Sequence, residues 1–192
     1  MNQQAEIALL MLAPVIMIFL VFINWVVIIL YSTKFLAVND MILWAILGIF
    51  FKAATWSIGF IFLAKGATKM FFWNELIMNI YMLGFNLIGY YYWGLAGLGI
   101  SFLVAYILYT IQVYAVAHKY YDFSFNREFF KIFILQLLLA ISCLSLVKLL
   151  ESPYSYIFGS LIICISGFYA YKELDKRMDI KSIFAGIKKK FK

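Results

Sequence analysis

Residues 41–64 read Met-Ile-Leu-Trp-Ala-Ile-Leu-Gly-Ile-Phe-Phe-Lys-Ala-Ala-Thr-Trp-Ser-Ile-Gly-Phe-Ile-Phe-Leu-Ala, a hydrophobic run with one charge, Lys52, at its middle. A helix needs about 20 mostly apolar residues to cross a bilayer, so the run is long enough. An ammonium near the midpoint of such a span costs about 2.5–3.5 kcal/mol on insertion scales. Residues that carry this cost usually face a bundle interior or a water-filled cavity. The pattern points to a membrane helix with something polar, and potentially anionic, to handle inside the membrane.

The whole chain has the same character. It has 192 residues, of which 66% are hydrophobic types and 13% charged, with a mean hydropathy of +0.96. Soluble domains carry about 25% charged residues. The sequence therefore specifies an all-α, polytopic membrane bundle. The net charge of +7 does not indicate a nucleic-acid partner, because the basic residues sit in short loops and one terminal tail. Cys143 and Cys164 lie in separate apolar runs without nearby His or Asp, and read as small packing residues rather than a metal site. One histidine, His118 in a loop, and no Ser/His/Asp grouping argue against hydrolytic or metal catalysis. No enzyme activity, metal or cofactor is expected. The N-terminus lacks a basic n-region and its apolar run exceeds an h-region, so no cleavable signal peptide is visible.

Six spans are predicted, over 7–31, 41–64, 71–91, 95–117, 129–150 and 154–171. Asn39-Asp40, Thr68, Asn126 and Ser152 are candidate helix caps, with Pro153 at a first helical position. Of the 16 basic residues, only Lys34 and Lys148 fall in outer loops when both ends are drawn on the cytoplasmic side. Apart from Lys52, the rest fall in inner loops and the tail, which sets that orientation. Tyr90, Tyr91, Tyr92 and Trp93 mark the outer interface, with Trp44 near it, and Phe71, Phe72 and Trp73 mark the inner one. In the tail, 172–192, Leu174, Met178, Phe184, Ile187 and Phe191 recur at helical spacing among lysines. This predicts an amphipathic helix on the anionic inner leaflet. A docking site for a soluble protein is the alternative.

Several polar residues lie inside the spans. Gly48, Lys52, Thr55 or Trp56, and Gly59 share one helical face. Small residues at this spacing permit close helix approach, which turns Lys52 into the bundle. It then lines a cavity, or is satisfied structurally by an ion pair or by carbonyls. Glu75, Asn79 and Asn86 form a polar stripe on the third span, where Glu75 is either part of a wet face or merely solvated near the interface. At 1.5 Å per residue, Lys52 is expected roughly 10 Å deeper than Glu75, too far for an easy ion pair. Asn24 and Gln112 suit interhelical hydrogen bonds, and Pro14 is expected to bend the first helix. Gly94, Gly97 and Gly99 open the fourth span after a tight outer turn. Close helix packing explains them better than a nucleotide loop, since no strand precedes them.

Specific segments carry a resemblance. Leu47-Gly48-Ile49-Phe50-Phe51-Lys52-Ala53-Ala54-Thr55-Trp56-Ser57-Ile58-Gly59-Phe60, then Ala64-Lys65-Gly66 and Phe71-Phe72-Trp73-Asn74-Glu75, resemble the bacterial oligosaccharide flippases of the multidrug/oligosaccharidyl-lipid/polysaccharide exporter superfamily. So do Tyr90-Tyr91-Tyr92-Trp93-Gly94-Leu95-Ala96-Gly97-Leu98-Gly99-Ile100-Ser101-Phe102, Leu30-Tyr31-Ser32 and the loop from Tyr120 to Phe129. Each motif is moderately specific, and their shared order extends the likeness over nearly the whole chain. Such proteins have about 12–14 spans in two lobes that rock about a shared site. The resemblance implies that 1–120 matches the last four helices of the second lobe. It makes 121–171 an appended hairpin and 172–192 a cytoplasmic tail, with an N-terminal lobe as missing partner. It further implies translocation of an undecaprenyl-pyrophosphate-linked oligosaccharide from the inner to the outer leaflet of the bacterial cytoplasmic membrane, for surface polysaccharide synthesis. Lys52, Trp56, Glu75, Asn79 and Asn24 become the substrate-cavity candidates. A non-transporting helical interaction module and an ion-coupled exporter of another amphiphile are the alternatives.

Overall fold

The computed structural model describes residues 2–150 and 153–178. Among the described residues the chain is all-helical: α1 (Asn2–Leu30), a 3-10 turn (Thr33–Val38), α2 (Asn39–Ala64), α3 (Thr68–Tyr121), α4 (Arg127–Leu149) and α5 (Tyr154–Met178). All five α-helices are long and apolar enough to cross a membrane.

α3 spans 54 residues, about 80 Å if straight, against a hydrocarbon core of about 30 Å. It folds back on itself at Gly94, whose φ of 58° and ψ of −137° suit a residue without Cβ. Hydrogen bonds tie the two arms together in antiparallel order. Ser101 Oγ donates to the Phe85 carbonyl at 2.6 Å, Tyr109 to Glu75, and Gln112 Nε2 to Asn74 Oδ1 at 2.8 Å. Gly97 lies against the Gly89 backbone so closely that a Cβ there would collide with it. Lipid offers no hydrophobic drive between helices, so such backbone approach supplies much of the association through dispersion contacts.

α2 packs on both arms. Gly99 meets the Met41 backbone, and Gly48 meets the Phe102 ring and Leu103 Cα. Thr110 Oγ1 donates to the Phe51 carbonyl at 3.3 Å. The order runs the same way in both, so α2 is parallel to the second arm. It is antiparallel to the first, where Gly59 faces Phe71.

α1 packs on α2, α4 and α5. Leu10, Ala13, Met17 and Leu20 are fully buried there. Gly159 of α5 receives the Val21 side chain, and Phe22 stacks on Tyr156. The break in α1 falls at Phe22 (φ −100°, ψ 15°) rather than at Pro14, which remains within helical geometry. α4 and α5 share a buried Gln136–Ser166 hydrogen bond of 2.7 Å.

The ends of the elements depart from sequence expectation in several places. Asn126 caps α4 as expected, accepting from the Phe129 amide at 2.7 Å. Thr68 is instead the first residue of α3, and Ala67 holds the cap position without a side-chain bond. Asn39 continues helically out of the 3-10 turn, so its amide is free to donate to Asn24. Pro153 precedes α5, its carbonyl accepting from Tyr156 and Ile157, while Ser152 lies outside the described residues. His118 is in the last turn of α3, with Nδ1 3.0 Å from the Phe123 carbonyl, and not in a loop.

A larger shift concerns 172–178. These residues continue α5 instead of starting a separate tail. The cause is an ion cluster: Arg177 Nε meets Glu6 at 2.6 Å, Arg177 Nη1 meets Glu173 at 2.6 Å, and Lys176 also binds Glu173. Two of the basic residues assigned to lipid contact are thereby engaged by carboxylates of the bundle. The remaining tail, 179–192, lies outside the described residues.

Candidate functional site

Lys52 sits at the midpoint of α2 and is half-buried. Its face is fixed by Gly48, which brings the second arm of α3 close. The ammonium lies 5.5 Å from the Trp56 ring centroid, 5.5 Å from that of Tyr106 and 6.0 Å from that of Phe102. Among the described residues no carboxylate pairs with it. A cation over an aromatic ring gains about 0.5–2 kcal/mol, more when desolvated. Three rings at 5.5–6.0 Å, near the distance limit of such contacts, offset part of the insertion cost of about 2.5–3.5 kcal/mol. The aromatic cage thus replaces the ion pair or carbonyl contact weighed from the sequence.

Glu75 stands on the first arm of α3, beside a cleft of about 240 Å³ between that arm and α2. Thr55, Trp56, Gly59, Phe60 and Phe71 line the same cleft. Glu75 Oε1 accepts the Tyr109 hydroxyl. The register that places Gly59 opposite Phe71 sets Thr55 level with Glu75. Lys52 is then three residues deeper, about 4.5 Å along the axis and not roughly 10 Å. No ion pair forms even so, because the ammonium is directed at rings of α2 and the second arm.

The structure therefore gathers three of the five sequence candidates. Lys52 and Trp56 share the cage, and Trp56 and Glu75 share the cleft. Asn79 does not join them: it is exposed, and its amide donates to the Glu75 backbone carbonyl at 2.8 Å on its own helix. Asn24 is at the opposite end of the bundle, hydrogen-bonded to Asn39. That position is thirteen residues from Lys52 along α2, about 20 Å. Asn24 and Gln112 do make the interhelical hydrogen bonds expected of them.

Phe102, Tyr106 and Tyr109 were missed. They recur at i, i+4 and i+7, a helical stripe legible in the sequence. What the sequence lacked was the register that sets this stripe against Lys52 and Glu75. Tyr81 adds a hydroxyl that is buried without a hydrogen-bond partner among the described residues.

Comparison of the chain with models of known protein families, with curated proteins and with solved structures gives no match.

Proposed function

We propose that the chain forms a six-span bundle in the bacterial cytoplasmic membrane. Both ends face the cytoplasm. In this reading it is the C-terminal part of a flippase that carries an undecaprenyl-pyrophosphate-linked oligosaccharide outward. One observation carries the reading: the Lys52 ammonium, mid-helix and half-buried, is ringed by aromatic side chains and, among the described residues, pairs with no carboxylate. A pyrophosphate is the kind of counter-charge such a cation attracts, and Trp56, 63% exposed, offers a face for a sugar ring. The fold-back of α3 supports two spans in place of one, which gives the count of six.

The test is translocation of a radiolabelled lipid-linked oligosaccharide in inverted vesicles holding the full reading frame. Lys52→Ala is expected to lower the rate at least about tenfold, a barrier change of about 1.4 kcal/mol. Normal rates would refute the role of Lys52.

A second reading is favoured by the outward face of the first arm of α3. Ile80, Leu83 and Leu87 are each more than 60% exposed there. Such a face suits a non-transporting module that packs on another helical protein, and equally the surface that a second lobe would cover. Co-purification of a second lobe encoded in the same frame favours the flippase; a stable complex with an unrelated membrane protein favours the module.

A further inference from the structure

We propose that the outward face of the first arm of α3 pairs with the same face of a second copy of this chain, through Asn79 and Asn86. The inference needs only that this arm crosses the membrane, and not that the chain is a flippase.

The starting point is how the bundle satisfies its amides. Asn24 bonds Asn39, Gln112 bonds Asn74, and Gln136 bonds Ser166, each pair joining two helical segments. Asn79 and Asn86 differ. Asn79 is exposed and donates one N–H to the Glu75 carbonyl of its own helix, while its Oδ1 accepts nothing among the described residues. The Asn86 side chain makes no hydrogen bond among them. An amide without a partner is costly in hydrocarbon, and a hydrogen bond across to another helix removes that cost.

The spacing identifies the partner. Leu76, Asn79, Leu83, Asn86 and Tyr90 follow steps of three, four, three and four residues, the heptad repeat of a left-handed helix pair. Leu83 is 62% and Tyr90 57% exposed, so the stripe points away from the bundle. No charged residue interrupts 76–90. Glu75, just before it, does not oppose pairing, because its carboxylate accepts the Tyr109 hydroxyl of the second arm. Copies of one chain insert with one orientation, so two first arms meet in parallel. A twofold axis along the membrane normal then sets 79 against 79 and 86 against 86, each pair at equal depth. An amide is donor and acceptor at once, so two identical asparagines satisfy each other reciprocally. An unrelated helix, or a second lobe, would need its own polar groups at both depths, about 10 Å apart.

The experiment is energy transfer between donor- and acceptor-labelled full chains in liposomes, over a range of lipid-to-protein ratios, with helix content checked by circular dichroism. A dimer that dissociates on dilution as a two-body equilibrium is expected. Asn79→Leu combined with Asn86→Leu keeps the face apolar and is expected to weaken dimerisation at least about tenfold. Cysteines then map the face in a Cys164→Ala background, Cys143 being fully buried. Leu83→Cys is expected to form an intermolecular disulfide under mild oxidation. Ile88→Cys, at a position 55% exposed but off the stripe, is not. The proposal is overturned by a monomer at every dilution, by unchanged dimerisation in the double variant, or by equal cross-linking at the two positions. It is also overturned if Leu83→Cys cross-links to a second lobe of the same reading frame in place of a second copy, or stays monomeric and reacts with an impermeant thiol reagent, as the wall of a wet cavity would. Should the double variant fail to fold, the contrast between Leu83→Cys and Ile88→Cys decides.

Discussion

At the scale of the residue, polar contacts in this bundle fall into two classes of very different weight. Arg177 and Glu6 are an ion pair only 12% and 5% exposed. Removing one partner of such a pair strands the other charge and costs about 3–5 kcal/mol. The Gln112–Asn74 hydrogen bond joins neutral groups between helices, where measured values average about 0.6 kcal/mol. Arg177→Leu is therefore expected to lower stability several-fold more than Gln112→Leu. Reversible unfolding in detergent reads this directly, and equal effects would show that the ion cluster is solvated. The sequence made Lys52 conspicuous because one charge stands in an apolar run. It could not reveal the cage, because Phe102 and Tyr106 are some 50 positions away and reach Lys52 only through the register of Gly48 on Phe102. Asn79 and Asn24 lie apart from the cage and the cleft, which the sequence could not reveal for the same reason. Composition shows that a side chain is polar, but a local carbonyl or an opposite helix end can satisfy it.

At the scale of the element, hydrophobic length was enough to locate the helices. The turn at Gly94 was legible as well, from the cluster of glycines and aromatics around it. Small residues at Gly97 and Gly99 proved to be points of backbone contact, as their spacing implied. Ends were harder to read. The lysine-rich stretch after 171 looked like a new segment, yet acids on α1 and α5 neutralise Lys176 and Arg177 and the helix runs on to Met178. If the arms of α3 are two crossings, single cysteines at Gly66 and His118 should react with an impermeant thiol reagent from the cytoplasmic side, and one at Trp93 from the outside. Trp93 reactive only from the cytoplasmic side would remove a pair of spans. Cys164 is exposed and calls for a background lacking it.

At the scale of the whole molecule, two groupings meet along α1 and α2. One is α2 with the folded-back α3; the other is α1 with α4 and α5. This partition was not readable from sequence, since helix neighbours depend on which faces meet and nearly every face is apolar. It places Lys52 and Glu75 entirely within the first grouping, so the hairpin α4–α5 contributes no side chain to cage or cleft. The cation at Lys52 is the point on which the reading of the molecule turns. Its most direct test is the affinity of the full chain for geranyl pyrophosphate, compared with Lys52→Gln at constant ionic strength. A loss of about tenfold or more in the variant, roughly 1.4 kcal/mol, is expected. Equal affinity in both proteins would contradict an anion-attracting role and leave the caged ammonium as a structural feature.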